Sequence, residues 1–313
     1  MKRLNQLMLV VPFLFFINVQ GAWAGLGLMD RLLSRPTMEK IKSATSLVPT
    51  AYQYDVFNAL RKSGRNGWEL IKTIESVDPS EREGAAFLIV NMPGRDLVSL
   101  KSEFLVTDIN LAYQTKKEIP WGKDIPSDIF SNDVLPYASL NERRDNWRQD
   151  FHQRFIDLAK SSKTIDQAIQ VLNKYVFETL KVAYNATKRP KPDQSPYEST
   201  EAHYASCTGL SILLTDALRS VGIPARIAAI AMWADDSGNH TWVEIWDGEW
   251  HYIGAAEPTP LDHTWFTLRA SQTDAAHPIY ATSFKKTVQI FPMRWAPNLR
   301  FVSAINVTKH YTH

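Results

Sequence analysis

Cys207 is the only cysteine of the chain, and it stands just before an apolar run, Leu210, Leu214, Ala217, Leu218 and Val221, that recurs at helical spacing. Ser206 is a natural N-cap, Gly222 a natural C′ residue, and Pro224 lies just past the stop. The thiol is therefore expected in the first turn of a helix buried on one side, where the partial positive charge of the N-terminus favours thiolate over thiol. Downstream, Asn239-His-Thr-Trp-Val-Glu-Ile-Trp-Asp-Gly-Glu-Trp-His-Tyr-Ile253 reads as two strands joined by the two-residue hairpin signal Asp247-Gly248. A thiol on a helix N-terminus and a histidine at the mouth of a strand are the two halves of a nucleophile–base pair.

At the start of the chain, Met1-Lys-Arg-Leu is a basic n-region, residues 7–19 form an apolar core of signal-peptide length, and Ala22-Trp23-Ala24 has the small-x-small cleavage pattern. Residues 1–24 are expected to be a signal peptide, and the mature protein to begin near Gly25 in the periplasm or outside the cell. No later stretch is long enough to span a membrane. Losing Lys2 and Arg3 cancels the net charge of +2. A neutral chain with no basic run offers no footprint for nucleic acid or an anionic membrane. One cysteine in an exported protein cannot make an internal disulfide, so it is an intermolecular link, an inert buried residue or a reactive thiol. Its place at a helix start favours the last.

The mature N-terminal half reads as helical. Asp78-Pro79-Ser80-Glu81 supplies a cap, a proline at N1 and an acidic N3 ahead of an apolar run at 85–92. A further helix is expected from Asp96, with Leu97, Leu100, Phe104, Leu105, Ile109 and Ala112 on one face, and a long charged one from about Leu140, with Trp147, Phe151, Phe155 and Leu158 buried. Glu142, Arg143, Arg144 and Asp145 are expected on a solvated or interdomain face. A boundary is placed at 161–163, ahead of the capping box Thr164-Ile-Asp-Gln167. This gives a helical domain over 25–163 and a core over 164–313, helix first and antiparallel sheet second: an α+β chain. No glycine-rich phosphate loop and no His-Glu-x-x-His occurs.

Three blocks resemble the transglutaminase-like superfamily: Ser206-Cys207-Thr208-Gly209 running into 217–226, His240-Thr-Trp-Val-Glu244, and Trp250 with the segment after it. The resemblance implies a papain-like core, with the cysteine helix packed on an antiparallel sheet, and a Cys-His-Asp triad. It also implies acyl transfer through a thioester at amide bonds of a peptide or protein substrate. Cys207 would be the nucleophile. His240 would hold the thiolate as an ion pair and protonate the leaving amine. The oxyanion would take the Cys207 N–H and one side-chain donor, with Tyr204 and Trp233 as candidates and Trp242 as a further substrate-binding candidate. Hydrolysis is favoured over cross-linking because nothing favours an amine acceptor. The rival reading is an inactive binding or scaffold module of the same fold.

The chain departs from the family pattern at the third member: Gly254 stands four residues past Trp250, where relatives place aspartate, and the nearest downstream carboxylate is Glu257. In a two-residue hairpin register, position 240 lies opposite 255. Residue 257 then shares the face of His240, while residue 254 points away. In the same register His251 faces Glu244, roughly 13 Å from His240 and too far for a shared zinc with Asp262 or His263. No metal and no cofactor is expected. The oligomeric state is left open.

Overall fold

The computed structural model describes residues 34–312. The signal-peptide reading falls on residues outside that range. Among the described residues nine helices have seven residues or more: α1 (Met38–Thr45), α2 (Thr50–Lys62), α3 (Gly67–Ser76), α4 (Arg82–Asn91), α5 (Ser102–Glu118), α6 (Trp147–Ser161), α7 (Ile165–Leu180), α8 (Pro196–Ala202) and α9 (Cys207–Ser220). The strands are β1 (Ala183–Tyr184), β2 (Tyr204–Ala205), β3 (Ala225–Ile230), β4 (His240–Trp246), β5 (Trp250–Ile253), β6 (Ile279–Ser283), β7 (Gln289–Ile290) and β8 (Ser303–Asn306). β1 and β2 make a small parallel pair, and the other six form an antiparallel sheet of order β5-β4-β3-β6-β8-β7. The chain is thus a helical N-terminal region followed by an antiparallel sheet core.

Local signals account for most helix ends. The Asp78 carboxylate accepts from Ser80 N at 2.8 Å with Pro79 at N1. Thr164 accepts from Gln167 N at 3.1 Å. Gly222, at φ +76°, closes α9: its N–H reaches Arg219 O and that of Ile223 reaches Leu218 O, a paired closure that needs a left-handed residue.

Two expected helices are shorter in the structure. The one expected from Asp96 is broken: a single turn, Gly94–Leu97, is separated from α5. Asn66 Nδ2 donates to Leu97 O and Leu100 O, both at 3.0 Å, and the Glu69 carboxylate accepts from Ser102 N at 2.9 Å. Side chains at the start of α3 therefore satisfy the backbone groups that a continuous helix would have paired internally. The helix expected from Leu140 begins only at Trp147, because the Glu142 carboxylate bends back to accept from Ser139 N and Leu140 N. Glu142 and Asp145 are buried rather than solvated.

One continuous core runs from Ile41 in α1 to Ile253 in β5. Two buried arginines fasten it. Arg148 of α6 pairs with Asp108 of α5 at 2.6 Å and donates to the carbonyls of residues 134, 135, 136 and 219. Arg219 of α9 donates to the carbonyls of residues 133, 136, 138 and 225. The 133–138 segment is thus clasped from both sides, and α9 is held at the end opposite its cysteine.

Candidate functional site

Cys207 is the first residue of α9 and is half-buried. Ser206 occupies the N-cap position, but its hydroxyl donates to Pro192 O at 3.1 Å instead of capping the helix. The first helical bond is Leu210 N to Ser206 O, which leaves the N–H groups of residues 207–209 without a side-chain acceptor. That is the electrostatic condition for a thiolate or an oxyanion beside the helix end.

Thr208 and Thr241 tie this helix end to the head of β4. Their hydroxyls meet at 3.1 Å, and Ser211 Oγ donates to Thr241 O at 3.3 Å. Cys207 and His240 are the residues immediately preceding the two threonines. No hydrogen bond joins them.

Side chains alternate along β4. Thr241, Val243 and Ile245 face α9, while His240, Trp242 and Glu244 face the second apolar layer. His240 is boxed by aromatic rings: Trp265 at 4.8 Å, Phe266 at 4.9 Å, Trp242 at 5.8 Å and Trp233 at 6.4 Å between centroids. Its Nε2 is enclosed and has no hydrogen-bond partner. Burial, with a smaller contribution from the Arg269 guanidinium, pushes the imidazole down to about 4, so the ring is neutral at pH 7.

The hairpin register differs from the sequence reading. Trp246 pairs with Trp250 and Val243 with Ile253, so the loop has three residues, Asp247, Gly248 and Glu249, with Gly248 at φ +127°. Every β5 side chain moves to the other face, and His251 stands opposite Ile245 instead of Glu244. Position 254, not 257, would fall on the face of His240 if the strand ran on. It stops at Ile253. A turn follows, closed by Glu257 N donating to Gly254 O at 3.2 Å, with Ala256 at φ +64°.

That turn folds Glu257 back over Gly254. A Cβ built on Gly254 would lie 2.8 Å from Glu257 Cδ and closer still to Oε2. The carboxylate thus fills the space that a side chain at position 254 would need. Its Oε1 accepts from Trp265 Nε1 at 3.1 Å, and the same indole lies against His240. No hydrogen bond joins Glu257 to His240. Burial raises the Glu257 pKa and the indole N–H partly offsets this.

Of the remaining residues singled out in the sequence, Trp242 is fully buried and its Nε1 donates to Tyr311 Oη at 2.8 Å, so this N–H is not free for substrate. Tyr311 in turn donates to Glu244, whose other oxygen pairs with Arg226 at 2.6 Å. Trp233 stacks on Trp242, and Arg269 lies over its outer face. Tyr204 is half-buried in β2 beside Lys188. His251 pairs with Asp262 at 2.6 Å, away from His240. Among the described residues no group of three or more His, Cys, Asp or Glu is placed to hold a metal ion. A groove of about 1160 Å³ lies between α2, α4 and β6, and none of Cys207, His240 and Glu257 lines it.

Sequence reasoning missed Asn173, Trp265 and the Thr208–Thr241 contact. Only Asn173 left a signal: an amide in the apolar stripe of Ile169, Leu172 and Val176.

Residues 150–255 match the family model described as the transglutaminase-like superfamily. The match takes in Cys207, His240 and Gly254 and ends before Glu257. No curated protein matches the sequence. Among solved structures, the chain is similar to a crystal structure from Cytophaga hutchinsonii that is described, provisionally, as a cysteine protease. The identity is 13%, the TM-score 0.34, and the alignment covers 60% of this chain and 65% of that one. So loose a superposition assigns no role to any residue. No helix among the described residues is long and apolar enough to cross a membrane.

Proposed function

We propose that the chain is an exported thiol enzyme that transfers acyl groups from amide bonds of peptides or proteins, and that it is a hydrolase. The observation that carries this reading is the Thr208–Thr241 contact. It holds the uncapped helix end bearing the only cysteine against the strand whose first residue is His240.

In the mechanism that fits, neutral His240 takes the thiol proton at Nδ1, across the ring from the enclosed Nε2. The Cys207 sulfur bonds to the amide carbon, and the oxyanion takes the N–H groups of the first turn of α9. Either Tyr204 or Trp233 adds a side-chain donor. Collapse breaks the C–N bond and the imidazolium proton leaves with the amine. Water, deprotonated by His240, then cleaves the thioester and regenerates the thiol. As the ring gains its proton, Nε2–H turns to the carboxylate of Glu257, which exchanges the Trp265 indole for the imidazole. Trp242 supports the ring from below. A lysine amine in place of water would make the product a cross-link.

One observation favours a second reading, a binding module of the same fold: the Glu257 carboxylate is bonded to an indole and His240 Nε2 to nothing. Intact-mass analysis after exposure to activated peptide esters separates the two. A thioester on Cys207, absent in Cys207→Ala, supports the enzyme, whereas an inert Cys207 supports the binding module. Export rests on the basic n-region, the apolar run and Ala22-Trp23-Ala24. Protein recovered from its host should begin near Gly25.

A further inference from the structure

We infer that Asn173 is a positioning residue for the Cys207–His240 pair, acting through the turn that carries Glu257; this rests on the reading above that Glu257 serves His240. Asn173 lies in the middle of α7 with no exposed surface. An amide buried in an apolar stripe is costly unless its donors and acceptor are all matched. Here they are, and every partner belongs to one turn. Nδ2 donates to Gly254 O at 3.0 Å and to Glu257 O at 3.1 Å, while Oδ1 accepts from Ala256 N at 2.9 Å.

The turn needs such a clamp. Ala256 sits at φ +64°, a left-handed conformation that a residue with a Cβ rarely adopts. Strand pairing has already ended at Ile253, so the sheet does not fix this backbone. Asn173 binds it at three of four consecutive residues, and α7 is itself packed against α9 and α6. The placement of the Glu257 carboxylate over Gly254 follows from that backbone. Without the amide, residues 254–257 are free to leave the left-handed conformation, and the carboxylate loses its fixed distance from the imidazole. A side chain that served only packing would be apolar here, as Leu172 and Val176 beside it are.

The test uses iodoacetamide alkylation of Cys207 as a function of pH, which needs no substrate. Glu257→Gln should slow alkylation at pH 7 about tenfold and raise the midpoint of the profile by about one unit, since the imidazolium formed when His240 takes the thiol proton loses its carboxylate. Asn173→Ala should shift the profile the same way, and the double variant no further than Glu257→Gln alone. Asn173→Ser retains a donor in a smaller side chain; it guards against a fold lost in Asn173→Ala and should give an intermediate shift. A folded Asn173 variant with the wild-type profile, or a double variant whose effects simply add, overturns the inference. A shift with Glu257→Gln but none with Asn173→Ala or Asn173→Ser removes Asn173 alone. No shift with Glu257→Gln removes both the inference and the role of Glu257.

Discussion

Glu257 occupies the side-chain space of Gly254: a Cβ on the glycine would lie 2.8 Å from the glutamate Cδ. The two positions compete for one volume, so a carboxylate is delivered there from residue 257 only because residue 254 has no side chain. Gly254→Asp alone should therefore displace Glu257 and disturb the turn.

Glu257→Gln should retain the fold and lower steady-state hydrolysis of an activated peptide ester by about 10³–10⁴, as expected when the carboxylate that orients a catalytic histidine is lost. In a Glu257→Ala background, Gly254→Asp should restore part of the rate. A Glu257→Gln enzyme within a few-fold of wild type would remove Glu257 from the mechanism.

Trp265→Phe keeps a ring against His240 but removes the N–H that holds Glu257 Oε1. The freed carboxylate should make the imidazole more basic, so Cys207 should alkylate faster than wild type at pH 6. Unchanged alkylation would mean that the indole does not compete with the imidazole for Glu257.

His240 and Asp133 give opposite pH dependences of stability. The His240 pKa falls on folding from 6.5 to about 4, so its stability is complete above 6.5 and is lost as the pH drops through that window. Burial raises Asp133 from 3.8 to about 6, so its stability is complete below 3.8 and is lost as the pH rises through about 6. Chemical denaturation should show His240→Asn gaining on wild type by about 2 kcal/mol between pH 6.5 and 4, a figure discounted for the partly open ring. Asp133→Asn should gain in the opposite direction.

Thr208→Val leaves the buried Thr241 hydroxyl without its partner and should cost about 1–3 kcal/mol, whereas the double variant with Thr241→Val should recover most of it. A denaturant-melt cycle reads the coupling. Two fully additive losses would mean that the hydroxyls do not interact.

The cysteine helix was readable to the residue because its signals are local: a small polar residue before it, Gly222 after it, and an apolar stripe between. The hairpin strands β4 and β5 were readable for the same reason, whereas β1, β2, β6 and β7 were not. What failed was register. Asp247-Gly248 fits a two-residue loop as well as a three-residue one, and a slip of one residue exchanges the faces of β5. The expectation that Glu257 extends along the strand fell with it. The turn that actually carries Glu257 depends on Asn173, distant in sequence, and on a left-handed Ala256 that no propensity favours. The 140–146 segment has the composition of a charged helix, but Glu142 bends back onto the backbone just before it, and Arg144 and Asp145 pair with Asp96 and Tyr197 far along the chain, which no periodicity records.

The clasp of Arg148 and Arg219 on the 133–138 carbonyls bears on how this chain can vary over generations. A piece beginning at residue 164 would retain Cys207, His240 and Glu257 but would leave Arg219 without most of its acceptors. The helices ahead of the cysteine are thus less a passenger than a keel.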